Sequence, residues 1–235
     1  MFERPHHRRV AAILQALDAP LLEANGCLFG GGTAIALAHG EYRESVDIDF
    51  LVSDAPGYRA LRERLTGPPG IHAIGRPGAL LEPVRDVRAD QYGIRTLLRS
   101  DGVDVKFEIV SEARIALEAP GEADRLCGVA TLAPIDAVAT KLLANSDRWR
   151  DDAAMSRDLI DLAMMAPSRE LFRRGAAKAA GAYGKSIAAD LLKAIESVRA
   201  RPHRLDRCME ALQMSTVPKA LLWKNIKALG TKLPP

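Results

Sequence analysis

The chemistry in this 235-residue chain is most concentrated in the segment Val46-Asp47-Ile48-Asp49-Phe50-Leu51-Val52. Its alternation predicts a strand with Val46, Ile48, Phe50 and Val52 on one face and both aspartates on the other. Aspartate is disfavoured in strands, so two inside an otherwise apolar one call for a reason. Residues two apart along a strand stand about 6.5–7 Å from each other and point the same way. Carboxylates so placed can hold divalent cations ~3.5–4 Å apart, the arrangement used in phosphoryl and nucleotidyl transfer. Hard oxygen ligands suit magnesium, with manganese as the alternative, better than zinc.

Two further groups extend this chemistry. Gly30-Gly31-Gly32-Thr33 lies between a short apolar run, Cys27-Leu28-Phe29, and a helix start, Thr33 to Ala38. Glycines at that junction let backbone N–H groups approach an anion, helped by the positive end of the helix, and the Thr33 hydroxyl could add a hydrogen bond to a phosphate oxygen. The pattern GxxxxGK[ST] is absent, so this is no P-loop. Later, Val103 to Val110 alternates, with Val103, Val105, Phe107 and Ile109 facing a core and Asp104, Lys106 and Glu108 facing away. Either Asp104 or Glu108 could supply a third carboxylate.

The elements that must position these groups follow from periodicity. Arg8 to Ala24 reads as one amphipathic helix stopped by Gly26, and Tyr58 to Leu65 as a short helix closed by Gly67-Pro68-Pro69-Gly70. Tyr92 to Leu98 and Val103 to Val110 form a hairpin across Ser100-Asp101-Gly102. Residues 71–90 show no regular pattern. From Ile135 the pattern is helical almost to the end, with Pro167, Pro202 and Pro218 marking starts or breaks. The expected class is therefore α/β, of the α+β kind: a small mixed sheet flanked by helices over residues 1–130, then an all-α domain over 131–235.

Composition narrows the function classes. Apolar residues make up 48% and charged residues 27%, which is enough for a water-soluble core. The longest apolar stretches fall far short of the ~18 residues a membrane span needs. The basic start MFERPHHRRV is followed by no apolar signal core, and the His6-His7 pair, close to a fraying end, is not read as a metal site. Cys27, Cys127 and Cys208 are far apart, odd in number and without partner-histidine spacing, as expected of reduced, structural thiols in the cytoplasm. The net charge of +3 hides an asymmetry. Residues 1–166 carry 19 basic and 25 acidic side chains, whereas residues 167–235 carry 14 and 5. A basic segment of that kind points to a polyanion partner or to a well-solvated helical face.

Together the motifs resemble the nucleotidyltransferase fold shared with polymerase β, whose signature is a Gly-Gly or Gly-Ser turn followed by Asp-x-Asp. Here Asp47 comes fourteen positions after Thr33. More narrowly, Gly31-Gly32-Thr33-Ala34 with Arg43-x-Ser45-x-Asp47-Ile48-Asp49-Phe50 is similar to the AbiEii/AbiGii toxin family, nucleotidyltransferases of type IV-like toxin–antitoxin and phage-defence systems. Val105-Lys106-Phe107-Glu108-Ile109 is similar to that family's third-carboxylate strand, which favours Glu108 over Asp104. Thr140-Lys141-Leu142-Leu143-Ala144 and Arg157-Asp158-Leu159-Ile160-Asp161-Leu162 are similar to its lysine helix and its Asp-x-x-Asp helix.

The resemblance implies magnesium held by Asp47, Asp49 and Glu108. It implies a nucleoside triphosphate (NTP) bound by Gly31, Gly32, Thr33 and Lys141, with Arg43 and Ser45 holding phosphate or the strand. Asp158 and Asp161 would orient Lys141 or Arg157, or contact the second substrate. It further implies transfer of a nucleotide to an RNA acceptor, such as the 3′ end of tRNA, and a cognate antitoxin. Two other readings share the front motif: a small-molecule nucleotidyltransferase of the antibiotic-modifying kind, and a catalytically inactive binding module.

Overall fold

The computed structural model describes residues 2–233. The chain divides into two compact units, Met1–Ala34 with Ser45–Ala133, and Ile35–Glu44 with Pro134–Pro235. The second unit thus takes in a ten-residue excursion from the middle of the first, which a division at residue 130 does not anticipate.

The first unit opens with α1 (Pro5–Ala16) and α2 (Ala19–Ala24). The single helix expected over 8–24 is broken at Leu17–Asp18. The Asp18 carboxylate accepts the Leu21 N–H and starts a new helix with Pro20 in its first turn. β1 (Leu28–Gly30) runs straight into α3 (Gly31–Ala38), then come β2 (Ile48–Val52) and α4 (Ala55–Thr66). The irregular stretch holds a 3-10 turn (Gly70–Ile74) and two short strands, β3 (Glu82–Pro83) and β4 (Arg88–Ala89). β5 (Gly93–Ser100) and β6 (Val103–Ser111) form the expected hairpin, and β7 (Arg125–Leu126) with β8 (Val129–Ala130) makes a separate small ribbon.

The main sheet is mixed and six-stranded, ordered β1-β2-β6-β5-β3 with β4 also on β5. β1 is antiparallel to β2, β2 is parallel to β6, and β6 is antiparallel to β5. Its apolar face is built on Phe29, Phe50 and Phe107, one from each of three adjacent strands, with successive ring centroids 5.5 and 5.7 Å apart. Because side chains alternate along each strand, burying that face turns Asp49, Lys106 and Glu108 to the other.

The second unit is helical after its excursion: α5 (Pro134–Arg148), α6 (Arg157–Met165), α7 (Arg169–Tyr183), α8 (Ser186–Ala200), α9 (Arg204–Ala211) and α10 (Lys219–Lys232). The prolines act as punctuation. Pro167 precedes α7, which Ser168 caps by accepting the Leu171 N–H; Pro202 precedes α9, and Pro218 is the residue before α10. Among the described residues, no helix is long and apolar enough to cross a membrane.

Candidate active site

Strand register decides which acids can act together. β2 and β6 are parallel with Asp49 directly opposite Glu108, so the two carboxylates rise from neighbouring strands, ~4.8 Å apart, on the same face. Asp104 lies four residues back along β6, roughly 13 Å away, and pairs with Arg99 across the hairpin (2.8 Å). The choice of Glu108 over Asp104 therefore rests on register as well as on motif.

Asp47 is placed differently from the expectation. The strand begins at Ile48, not Val46, and Val46 is 48% exposed instead of facing the core. The segment before Ile48 is tied by other means. The buried Thr33 hydroxyl donates to the Asp47 carbonyl and lies 2.8 Å from the Ser45 hydroxyl. The Ser45 N–H donates to the ring of fully buried His7 (3.2 Å), and the His6 ring donates to the Val46 carbonyl (2.9 Å). Thr33 and Ser45 thus fix the approach to Asp47, and the Thr33 hydroxyl is engaged by that segment. His6 and His7, set aside in the sequence as near a fraying end, lie on the first turn of α1 and hold the residues just before the first acid. No spacing rule joins positions 6–7 to 45–46, and only the buried status of a histidine could have signalled it.

Gly31 opens α3 with φ +67°, and a Cβ there would lie 2.6 Å from Asp49 Oδ2. The glycine is required twice: for its left-handed backbone and for the space the Asp49 carboxylate fills. The role of the glycine run is thus partly to receive an acid side chain from the next strand.

Around Glu108 the electrostatics are specific. Its Oε1 accepts from Arg95 Nε on β5 (2.6 Å), and its Oε2 pairs with Lys106 Nζ (2.7 Å). Part burial would raise the Glu108 pKa, but Lys106 and then Arg95 outweigh it and hold the carboxyl below its usual range. Desolvation likewise opposes the charge on Lys106, and is outweighed by Glu108, with Asp49 and Asp47 adding to it, so the ammonium titrates above an ordinary lysine. One cation thus feels all three acids. Asp47 itself makes no side-chain hydrogen bond or contact ion pair among the described residues.

These residues fit magnesium in one respect and not in another. Among the described residues, no three acidic, imidazole or thiol side chains are arranged to enclose a metal ion. Magnesium, however, is commonly held by one or two carboxylates plus substrate phosphates rather than by a protein cage, which Asp47 and Asp49 can provide. Glu108 has both oxygens occupied by cations, so the expectation of three acids poised as ligands is not the arrangement found.

The other predicted residues lie in the second unit and form a buried charge network. Asp161, fully buried on α6, accepts from Tyr42 Oη (2.6 Å), from Arg43 Nε (2.7 Å) and Nη2 (3.0 Å), and pairs with Lys141 Nζ (2.6 Å). Lys141 Nζ also reaches Asp158 Oδ1 (3.0 Å), whose carboxylate takes both Nε (2.6 Å) and Nη2 (2.8 Å) of Arg148. Burial would raise both aspartates, but Lys141 with Arg148 at Asp158, and Lys141 with Arg43 at Asp161, overcome it and hold both low. Lys141 is 5% exposed, so the ammonium expected to meet a triphosphate is here enclosed between two carboxylates. Arg43, at 4% exposure, is held by Asp161, in keeping with the positioning role of the two expected for it, and Arg157 is exposed on the first turn of α6. Tyr42, Arg148 and Lys178, which pairs with buried Asp136 on α5, were not singled out in the sequence.

A mixed sheet carrying acids on adjacent parallel strands, fed by a glycine-led helix, is the fold of nucleotidyltransferases. Two solved structures from Helicobacter pylori show it. One was described as a candidate nucleotidyltransferase: 19% identity, TM-score 0.51, covering 97% of this chain and 94% of that one. The other is JHP933: 17% identity, TM-score 0.53, covering 99% and 94%. No curated protein matches the chain. Residues 12–231 match the family of the nucleotidyl transferase AbiEii toxin of type IV toxin–antitoxin systems, and the chain belongs to that family.

Proposed function

We propose that the protein transfers a nucleoside monophosphate from an NTP to a hydroxyl of an RNA acceptor, in the manner of a toxin restrained by a cognate antitoxin. The observation that carries this reading is the register that sets Asp49 beside Glu108, with Asp47 two residues upstream and Gly31 making room for the Asp49 carboxylate. Asp47 and Asp49 would hold magnesium, which when bound supplies charge neutralisation for the phosphates. Gly31 and Gly32, at the start of α3, orient the triphosphate with their backbone. Glu108, ionised at neutral pH, accepts the proton of the attacking hydroxyl. That hydroxyl oxygen forms the new bond to the α-phosphorus, the bond to the bridging oxygen breaks, and pyrophosphate leaves with the electron pair.

RNA is favoured as acceptor by residues 167–235, where 14 basic side chains stand against 5 acidic ones, since phosphate contacts supply most sequence-independent affinity. The 3′ end of tRNA is the acceptor we favour, and the cytoplasm, where NTPs and tRNA meet, the place of action. Incubation with total RNA, magnesium and each α-labelled NTP in turn should label RNA. Asp47→Ala or Asp49→Ala should abolish the label, and full labelling by the double alanine variant would overturn the mechanism. Binding to RNA should fall steeply with salt; salt-indifferent activity on small hydroxyl compounds would instead identify a small-molecule enzyme.

A further inference from the structure

Two cations hold Glu108, and they are not equivalent. Arg95 is fixed: its Nε bonds Oε1 of Glu108 while its Nη1 bonds Asp90 (3.1 Å), whose carboxylate is itself held by the N–H groups of Tyr92 (2.7 Å) and Gly93 (2.9 Å). A guanidinium held at two points is harder to displace than an ammonium held at one. Lys106 is different. It lies two residues from Glu108 on the same face of β6, its cross-strand neighbour is the apolar Leu97, and its side chain is 42% exposed on a flexible stem. Among the described residues its only contact ion pair is with Glu108. Yet its ammonium also lies in the field of Asp49 and Asp47, the two acids read above as cation ligands.

We propose that Lys106 is a built-in counter-ion of the acidic site, which keeps Glu108 occupied in the metal-free protein and competes with a divalent cation for it. Lys106 lies in the field of three carboxylates, and its lone ammonium neutralises part of that charge without coordinating it. A divalent cation held by Asp47 and Asp49 would repel the like charge of Lys106 along its part-exposed stem. Glu108 would then keep Arg95 and have one oxygen released. Lys106 therefore sets the cation affinity of the site, and holds Glu108 out of play until a divalent cation is present. Its role is one of positioning and competition, exerted through Glu108, and it rests on the functional reading above.

The test is manganese binding measured by calorimetry without nucleotide, on the full chain. Lys106→Met keeps the stem and removes the charge, Lys106→Gln is a second neutral variant should the first fold poorly, and Lys106→Arg keeps the charge. The neutral variants should bind manganese more tightly by on the order of tenfold, equivalent to about 1.4 kcal/mol, and Lys106→Arg should not. In the unsubstituted protein, acetylation of Lys106 followed by mass spectrometry should increase when manganese is added. Unchanged or weaker binding by Lys106→Met and Lys106→Gln, with binding by the unsubstituted protein intact, overturns the counter-ion role and leaves the functional reading standing. Binding that is the same in Asp47→Asn and Asp49→Asn as in the unsubstituted protein overturns both.

Discussion

Replacing Gly31 by alanine separates the two demands the structure makes of that position. The first is conformational: at φ +67° any Cβ is strained, costing about 1–2 kcal/mol. The second is spatial, because the new methyl would stand 2.6 Å from Oδ2, 3.2 Å from Cγ and 3.0 Å from Cβ of Asp49. The carboxylate must therefore retreat by several tenths of an ångström, and catalytic groups misplaced by about 1 Å lose on the order of 10²-fold in rate. Gly102, in the β5–β6 turn of the same unit, is a matched control. It has φ +74°, but a Cβ there meets nothing within 4 Å. Both Gly31→Ala and Gly102→Ala should lower the melting temperature by about 2–8 °C, at ~2–4 °C per kcal/mol for a chain of this size. Only Gly31→Ala should lose nucleotide incorporation, by roughly 10²-fold, measured as initial rate with labelled NTP well below the melting temperature. Equal rates in the two variants would refute the claim that Gly31 exists to seat Asp49.

Two other expectations concern the buried network. Asp161→Ala leaves the Arg43 guanidinium, the Lys141 ammonium and the Tyr42 hydroxyl buried around a void, and should cost about 3–5 kcal/mol in urea unfolding; a loss under about 1 kcal/mol would show the network to be more hydrated than its burial implies. Asp158 and Asp161 both release their protons more readily folded than unfolded, so their contribution is complete at neutral pH and is lost as the pH falls below the ordinary carboxylate value of about 4. The urea midpoint should fall steeply below pH 4, and the fall should be shallower in Asp158→Asn; an unaltered slope there would remove Asp158 from the account.

Much of this was legible in the sequence because it was local. The β5–β6 hairpin declared itself through alternation and the Asp101-Gly102 turn, and α7, α9 and α10 through the prolines ahead of them. Asp49 and Glu108 were found because alternation assigns a face, and motif resemblance then joined strands that pattern alone leaves separate. What pattern left open was pairing at a distance. The start of β2 depends on where β6 begins to hydrogen-bond it, and so Val46 went to the wrong face. The burial of Lys141 and Arg43 follows from charges 17 and 118 residues away in Asp158 and Asp161, which no periodicity records. The same holds for Lys106, whose partner is two positions off but whose meaning depends on acids from another strand.

The excursion of Ile35–Glu44 has a consequence for how this chain can be cut. Between the glycine start of α3 and the acidic strand, the polypeptide carries a stretch whose arginine is matched by an aspartate more than a hundred residues later. A fragment ending at Ala133 would therefore retain Arg43 but lose its mate, and would expose Tyr42 and the guanidinium without partners. Cutting at the apparent boundary should therefore yield a fragment less stable than the intact chain, with its buried charges unmatched.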